Sequence, residues 1–295
     1  MTLNILSIST NNDSKLDKYN FDNKTYVKKK NNYLFNYVNN SFYKKQILDY
    51  LYDNLDLSNY NYNLVKDKLS VLDVLKNDKY YIQYNYSGVA SYLVFVRIKN
   101  KYFSVFIEKK NLSFNKNKVN LSNIRIREIE VNAKLNIYNG TIMEGFLIYD
   151  NKKMEINFLI NDILFLAGNK LVNDKLNDKF SMYESYISTN PIKDKYDTNK
   201  STTLKINKFY ELNSIKKLIE DVYNPKSKLL LKKLIKGISF VKEVSGQKII
   251  FIFNNNNKEN SSDSENKKVY NEDKSYRNKK QYLGPAEKIK KIEIK

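Results

Sequence analysis

The sequence of 295 residues contains neither cysteine nor histidine. Without cysteine there is no disulfide framework and no thiolate metal site. Without histidine there is no catalytic triad, no histidine general base and none of the usual zinc sites. Any chemistry must come from Lys, Asp, Glu, Tyr, Arg or a bound metal. No apolar run is long enough to span a bilayer, and the opening MTLNILSISTNNDSK lacks a basic start followed by a long apolar core. These absences predict a soluble, intracellular, cytoplasmic protein with no membrane partner.

What is abundant is positive charge and tyrosine. Lys and Arg number 52 against 32 Asp and Glu, for a net charge of +20, and there are 25 Tyr and 15 Phe. A field of that sign favours nucleic acid, acidic partners or anionic surfaces. Lys, Asn, Tyr and Ile are also the residues of AT-rich codons, so the excess over acids carries this reading, not the lysine count. The Asn runs are put down to the same coding bias.

Along the chain, residues 1–40 are polar and without sustained periodicity, and read as a flexible leader. Residues 41–295 read as one domain. Ser41 is a plausible N-cap for a helix carrying Phe42, Ile47, Leu48, Leu51, Tyr52 and Leu55, and a second helix fits Leu64 to Leu75. Tyr80 to Phe106 reads as a strand, a break at Gly88 and a hairpin turning at Lys99-Asn100-Lys101. Phe114 to Ile137 is basic and alternating, and predicts a strand or two with a cationic face that includes Arg125 and Arg127. Apolar runs at Thr141–Tyr149 and Ile156–Phe165 flank the polar turn 150–153 and read as paired buried strands. Leu171, Leu176, Phe180, Met182, Tyr183 and Tyr186 then suggest a helix. The stretch TNPIKDKYDTNKSTT reads as a loop, Leu212 to Val222 as an amphipathic helix, and 229–235 as a short helix. Residues 237–242 and 247–253 read as strands. Residues 254–280 read as a disordered insertion.

The unit from Tyr138 to Ile187 is similar to the middle of the covalent nucleotidyltransferases, the mRNA capping guanylyltransferases of large DNA viruses and their ligase relatives. Gly140-Thr141-Ile142-Met143-Glu144-Gly145-Phe146-Leu147 resembles the family's "GTILDGEL" strand, and Phe158 to Gly168, with Asp162, resembles "FLVFDILYLNG". Leu176-Asn177-Asp178-Lys179 resembles the start of the next helix, and Ile107-Glu108-Lys109-Lys110-Asn111 resembles "IDRKN". Gly237 to Lys242 resembles "EGLVFKP", with Lys236 at the family's acid and Lys242 at its lysine. Gln281 to Lys295 resembles a "YKWKPxExxTIDF" element. The resemblance spans about residues 80–295.

It implies an α+β fold of two packed, mainly antiparallel sheets with peripheral helices, here without the OB-fold that follows in capping enzymes and DNA ligases. It also implies where chemistry would sit. Set on Tyr81 and Gly88, the family's nucleophile motif puts Asn85 at the lysine that attacks the α-phosphate, Ser87 at the aspartate and Ala90 at the arginine. Phe146 stands at the glutamate of the first strand. An asparagine amide cannot form the phosphoramidate. The expectation is therefore a catalytically inactive guanylyltransferase-like module that binds RNA, a capped 5′ end or a capping or transcription partner. Tyr84, Asn85, Tyr86, Lys109, Lys110, Asp162 and Lys242 are its nucleotide- or RNA-binding residues, with no catalytic residue, metal or cofactor. In the viral setting of the resemblance, virion or viral factory would be its location. Two alternatives stand beside it. One is an active guanylyltransferase or RNA ligase using GTP or ATP with Mg2+ or Mn2+ and a relocated lysine such as Lys79. The other is a structural subunit of a viral or plasmid polymerase assembly.

Overall fold

The long apolar runs between residues 80 and 166 form the frame of the protein. The computed structural model describes residues 36–65, 79–129, 131–150, 155–194, 202–229 and 231–253, and the backbone of two short strands nearer the N-terminus. Those two, β1 (Lys18–Phe21) and β2 (Lys24–Val27), pair as an antiparallel hairpin inside the stretch expected to be a flexible leader. Within the same stretch, β3 (Asn36–Tyr37) joins a sheet and Val38 is buried.

Helix α1 (Ser41–Asn54) forms where the periodicity predicts, but its cap is one residue earlier. The Asn40 side chain accepts hydrogen bonds from the Phe42 and Tyr43 amides at 3.0 and 3.3 Å. Its inward residues Ile47, Leu48 and Leu51 are buried. The helix expected from Leu64 is not there at its start. Tyr62–Val65 is strand β4, and the remainder of that expectation lies outside the described residues.

Strands β5 (Tyr80–Tyr86), β6 (Val89–Ile98) and β7 (Lys101–Glu108) follow the expected breaks. Lys99 takes φ +55 in the hairpin turn between β6 and β7. The basic segment after them gives only the short strands β8 (Ile126–Glu128) and β9 (Val131–Asn132). Its cationic face is not formed at Arg127, whose guanidinium turns inward and pairs with Glu108. Then come β10 (Thr141–Asp150), β11 (Glu155–Leu166), β12 (Asn169–Lys170) and helix α2 (Leu176–Thr189). The expected loop beyond it contains β13 (Lys193–Asp194) and the first residues of β14 (Thr202–Ile206). After β15 (Phe209–Glu211) and helix α3 (Ile215–Tyr223), β16 (Ile235–Lys242) and β17 (Lys248–Ile252) end the described chain. The expected insertion at 254–280 and the tail motif lie outside the described residues.

Among the described residues the fold is a mixture of α and β built on two mainly antiparallel sheets with few helices. The larger sheet runs β12-β11-β10-β6-β7-β8-β3, with β14 added parallel to β11; the smaller runs β15-β5-β16-β17-β4, with β4 parallel to β17. Helix α1 covers one part of the large sheet through Ile47, Leu48 and Leu51 against Val94, Phe103 and Val105. Helix α2 brings Leu176, Phe180 and Tyr183 to a second cluster with Leu93, Phe106, Met143 and Phe158. The small sheet packs Tyr84, Tyr86 and Phe240 with Phe146, Ile148 and Leu159 of the large one, and Leu218 of α3 closes that cluster. No helix among the described residues is long and apolar enough to cross a membrane.

Candidate functional site: a closed polar interior

Charged residues placed inside apolar strands must find partners or bear a large desolvation cost. Glu144 is the centre of the clearest case. It lies on β10 opposite Tyr92 of β6 and Asp162 of β11, beside an irregularity in the β10–β11 register. Lys109, in the turn that follows β7, donates to Glu144 Oε1 at 2.8 Å and to the Tyr60 carbonyl at 3.0 Å. Its ammonium also sits 5.1 Å from the centre of the Tyr92 ring. Lys248, which opens β17, brings Nζ to 3.0 Å from Glu144 Oε2. That contact is an ion pair whose geometry falls short of a hydrogen bond, and among the described residues neither atom has another hydrogen-bond partner.

One buried carboxylate is thus clamped between two ammonium groups from different sheets. Burial alone would raise the Glu144 carboxyl, but the Lys109 and Lys248 charges outweigh it and hold the group at about 2. Burial pulls the Lys109 ammonium below its ordinary value, with Glu144 opposing the fall and Lys248 adding to it. The Tyr60 hydroxyl is pushed up to about 12 by burial and by the negative charges of Asp162 and Glu144.

Two more acids are closed in the same manner. Asp162 Oδ1 accepts from the fully buried Lys179 of α2 at 3.1 Å and from the Ile163 amide at 2.8 Å, and Lys179 also donates to Ser245 Oγ. Glu108 holds Arg127, with Lys110 at 3.4 Å and the Asn111 amide at 3.2 Å. A neutral seam then ties the sheets together. Gln83 of β5 donates to the carbonyls of Asn161 and Asn207 at 3.2 and 3.0 Å, and Asn207 donates to the Asn161 side chain at 2.8 Å and the Tyr84 carbonyl at 2.9 Å.

Asn85, two residues beyond Gln83 on the same face of β5, differs from this seam. It is 1% exposed, and among the described residues neither its amide nitrogen nor its carbonyl oxygen has a hydrogen-bond partner. The alternation of β5 puts Tyr84 and Tyr86 on the other face, both buried, in edge contact with each other at 6.4 Å. The Tyr84 hydroxyl donates to the Leu218 carbonyl of α3 at 3.4 Å, and burial raises both hydroxyls. Neither ring presents a free face to a base. The structure brings Lys109 and Asp162 into the charged interior with Glu144. Lys110 stands exposed beside Glu108, and Lys242, half-buried at the end of β16, lies 6.0 Å from the Tyr80 ring. Lys79 is exposed and paired with Glu243 at 3.3 Å.

Sequence reasoning missed Glu144, Lys248, Lys179, Gln83, Asn161 and Asn207 as a set. A signal existed for Lys179, which shares the inward spacing of Leu176, Phe180 and Tyr183. One existed for Glu144 too, a lone charge in an apolar run. The two acids that the strands of the resemblance would offer to a divalent metal are already paired. Glu144 and Asp162 are both occupied by lysines, and among the described residues no three Asp or Glu side chains gather where they could hold a metal.

No family model matches the chain, and no curated protein matches it. Among solved structures, a mycobacterial DNA ligase D complexed with ATP and MES gives a TM-score of 0.35 at 7% identity, over 66% of this chain and 60% of that one. Another, Pmar-Lig_Pre, gives 0.35 at 10% identity, over 64% of this chain and 46% of that one. The chain therefore spans less than two thirds of either. Overlaps this low decide nothing about fold family or chemistry.

Proposed function

We propose that the protein is a catalytically inactive module of the guanylyltransferase and ligase type, and that it binds single-stranded RNA. The observation that carries the first half is Asn85. At the position the resemblance assigns to the attacking lysine stands a buried amide that has no partner among the described residues, and an amide cannot form a lysyl-nucleotide bond. The interior supports the same reading. In a nucleotidyltransferase, strand-end lysines and acids face a nucleotide and its metal. Here Lys109 and Lys248 are spent on Glu144, and Lys179 on Asp162.

The second half is supported by the net charge of +20. With Tyr84 and Tyr86 in the core and Lys109 inside an ion pair, the RNA is held along its strand and not by a terminal nucleotide in the interior. The test is fluorescence anisotropy with capped, triphosphorylated and hydroxyl-ended RNAs of one sequence, in chelator. All three are expected to bind alike, with affinity falling steeply as salt rises. No binding to any of them would refute the RNA half, and a strong preference for one end would refute the closed interior.

A further inference from the structure

The lysines of this protein are not equivalent. Around α1, Lys45 and Lys116 are taken by Asp49 and Asp53. The segment from the end of α3 into the start of β16 is different. Lys226, Lys228, Lys233 and Lys236 are all exposed, and none enters an ion pair among the described residues.

Ring and hydrogen-bond contacts bring this segment together around two aromatic rings. Tyr223, the last residue of α3, is 63% exposed and lies 6.0 Å from the ring of Phe253, just beyond β17. The Phe253 amide donates to the Lys236 carbonyl at 2.9 Å, so Lys236 flanks the ring pair. Asn224 organises the turn. Its side chain accepts from the Lys226 amide at 3.0 Å, and its carbonyl accepts from the Ser227 amide at 3.0 Å and from the Lys232 ammonium.

We propose that this surface, at the C-terminal end of α3 and the adjoining ends of β16 and β17, is the protein's binding site for single-stranded RNA. The proposal rests on the RNA-binding reading above and locates it. Unpaired ammonium groups supply phosphate contacts, and an exposed tyrosine against a second ring supplies a platform for an unstacked base. A duplex keeps its base faces covered, so the aromatic element selects a single strand. Four exposed lysines in one segment beside the Tyr223–Phe253 ring pair distinguish this surface from a uniformly charged one.

The experiment uses the full chain and a fluorescein-labelled single-stranded RNA, with anisotropy read across a salt series. Lys226, Lys228, Lys233 and Lys236 are changed together to Gln. A matched variant changes Lys101, Lys118, Lys134 and Lys170, exposed lysines of the large sheet and its loops, to Gln. The first variant is expected to flatten the slope of log affinity against log salt by about 3, at roughly 0.7 per lost contact on a single strand. The matched variant is expected to leave the slope as it was. Tyr223→Ala should weaken binding about 5- to 150-fold, the loss of one stacked base, and Tyr223→Phe should retain it. Equal loss from both lysine sets, or an unaffected Tyr223→Ala, would overturn the proposal while leaving RNA binding intact. An unmodified protein that binds no RNA would overturn the reading beneath it, and the proposal with it.

Discussion

At the scale of the residue, Glu144 governs the account. Its carboxylate is the only acid that Lys109 and Lys248 contact in the ion pairs of the described residues, so Glu144→Gln strands two buried ammonium groups. Removing one partner of a buried ion pair costs about 3–5 kcal/mol, to be read as a fall in the urea midpoint. The same group predicts acid sensitivity. Its folded-state value, about 2, lies below the ordinary 4.5, so the unfolded chain takes up the proton first. The stability is present above about 4.5, and about 3 kcal/mol is lost as pH falls towards 2. Glu144→Gln should lack that component, and parallel acid-unfolding curves for the two proteins would contradict the ion-pair reading. Asn85 makes the opposite prediction. Its partnerless amide costs about 1–3 kcal/mol, so Asn85→Leu, of similar size, should hold or raise the urea midpoint. A large drop would reveal a partner for the amide. The sequence identifies Asn85 by its place between Tyr81 and Gly88, but not the orphaned amide, which depends on what β5 packs against. It identifies Asp162 as well, yet not Lys179 as its partner, because that pairing joins a strand to a helix.

At the scale of the element, β10 shows how closely the sheet is built. A Cβ on Gly145 would lie 2.2 Å from the Leu159 carbonyl oxygen, a backbone atom of β11 that cannot swing away. Gly145→Ala should therefore cost at least about 1–3 kcal/mol through forced separation of the strands, read from thermal or urea unfolding. At α1, Asn40→Ala should cost about 0.5–2 kcal/mol and Ser41→Ala far less, because the cap hydrogen bonds belong to Asn40. The strands β5, β6, β7, β10 and β11 and the helices α1, α2 and α3 were legible because each buries a long apolar run or a regular stripe. β14 was not, since all five of its residues are only half-buried and its pairing is with β11, distant in sequence. β4 was hidden by leucines at helical spacing, and its Leu64 stays exposed at the sheet edge. Short strands like these are fixed by neighbours, not by their own pattern.

At the scale of the whole molecule, two packed sheets enclose charge that the chain neutralises itself and leave unpaired lysines outside. Composition gave the sign of the field. It could not say which lysines are spent, because pairing depends on which strands and helices meet. Lys109 is spent although its motif suggested a ligand contact, whereas Lys226, Lys228 and Lys233, in no motif, enter no ion pair among the described residues. The central claim of the proposal is that internal ion pairs stand where the resemblance would put nucleotide chemistry. The most direct measurement is intact mass after incubation with GTP or ATP and Mg2+ or Mn2+. No added mass is predicted on the protein or on Asn85→Lys, which would still lack the family's residues at Ser87, Ala90 and Phe146. A gain of one nucleoside monophosphate on any lysine of the unmodified protein, Lys79 and the desolvated Lys109 being the first to map, would contradict the account.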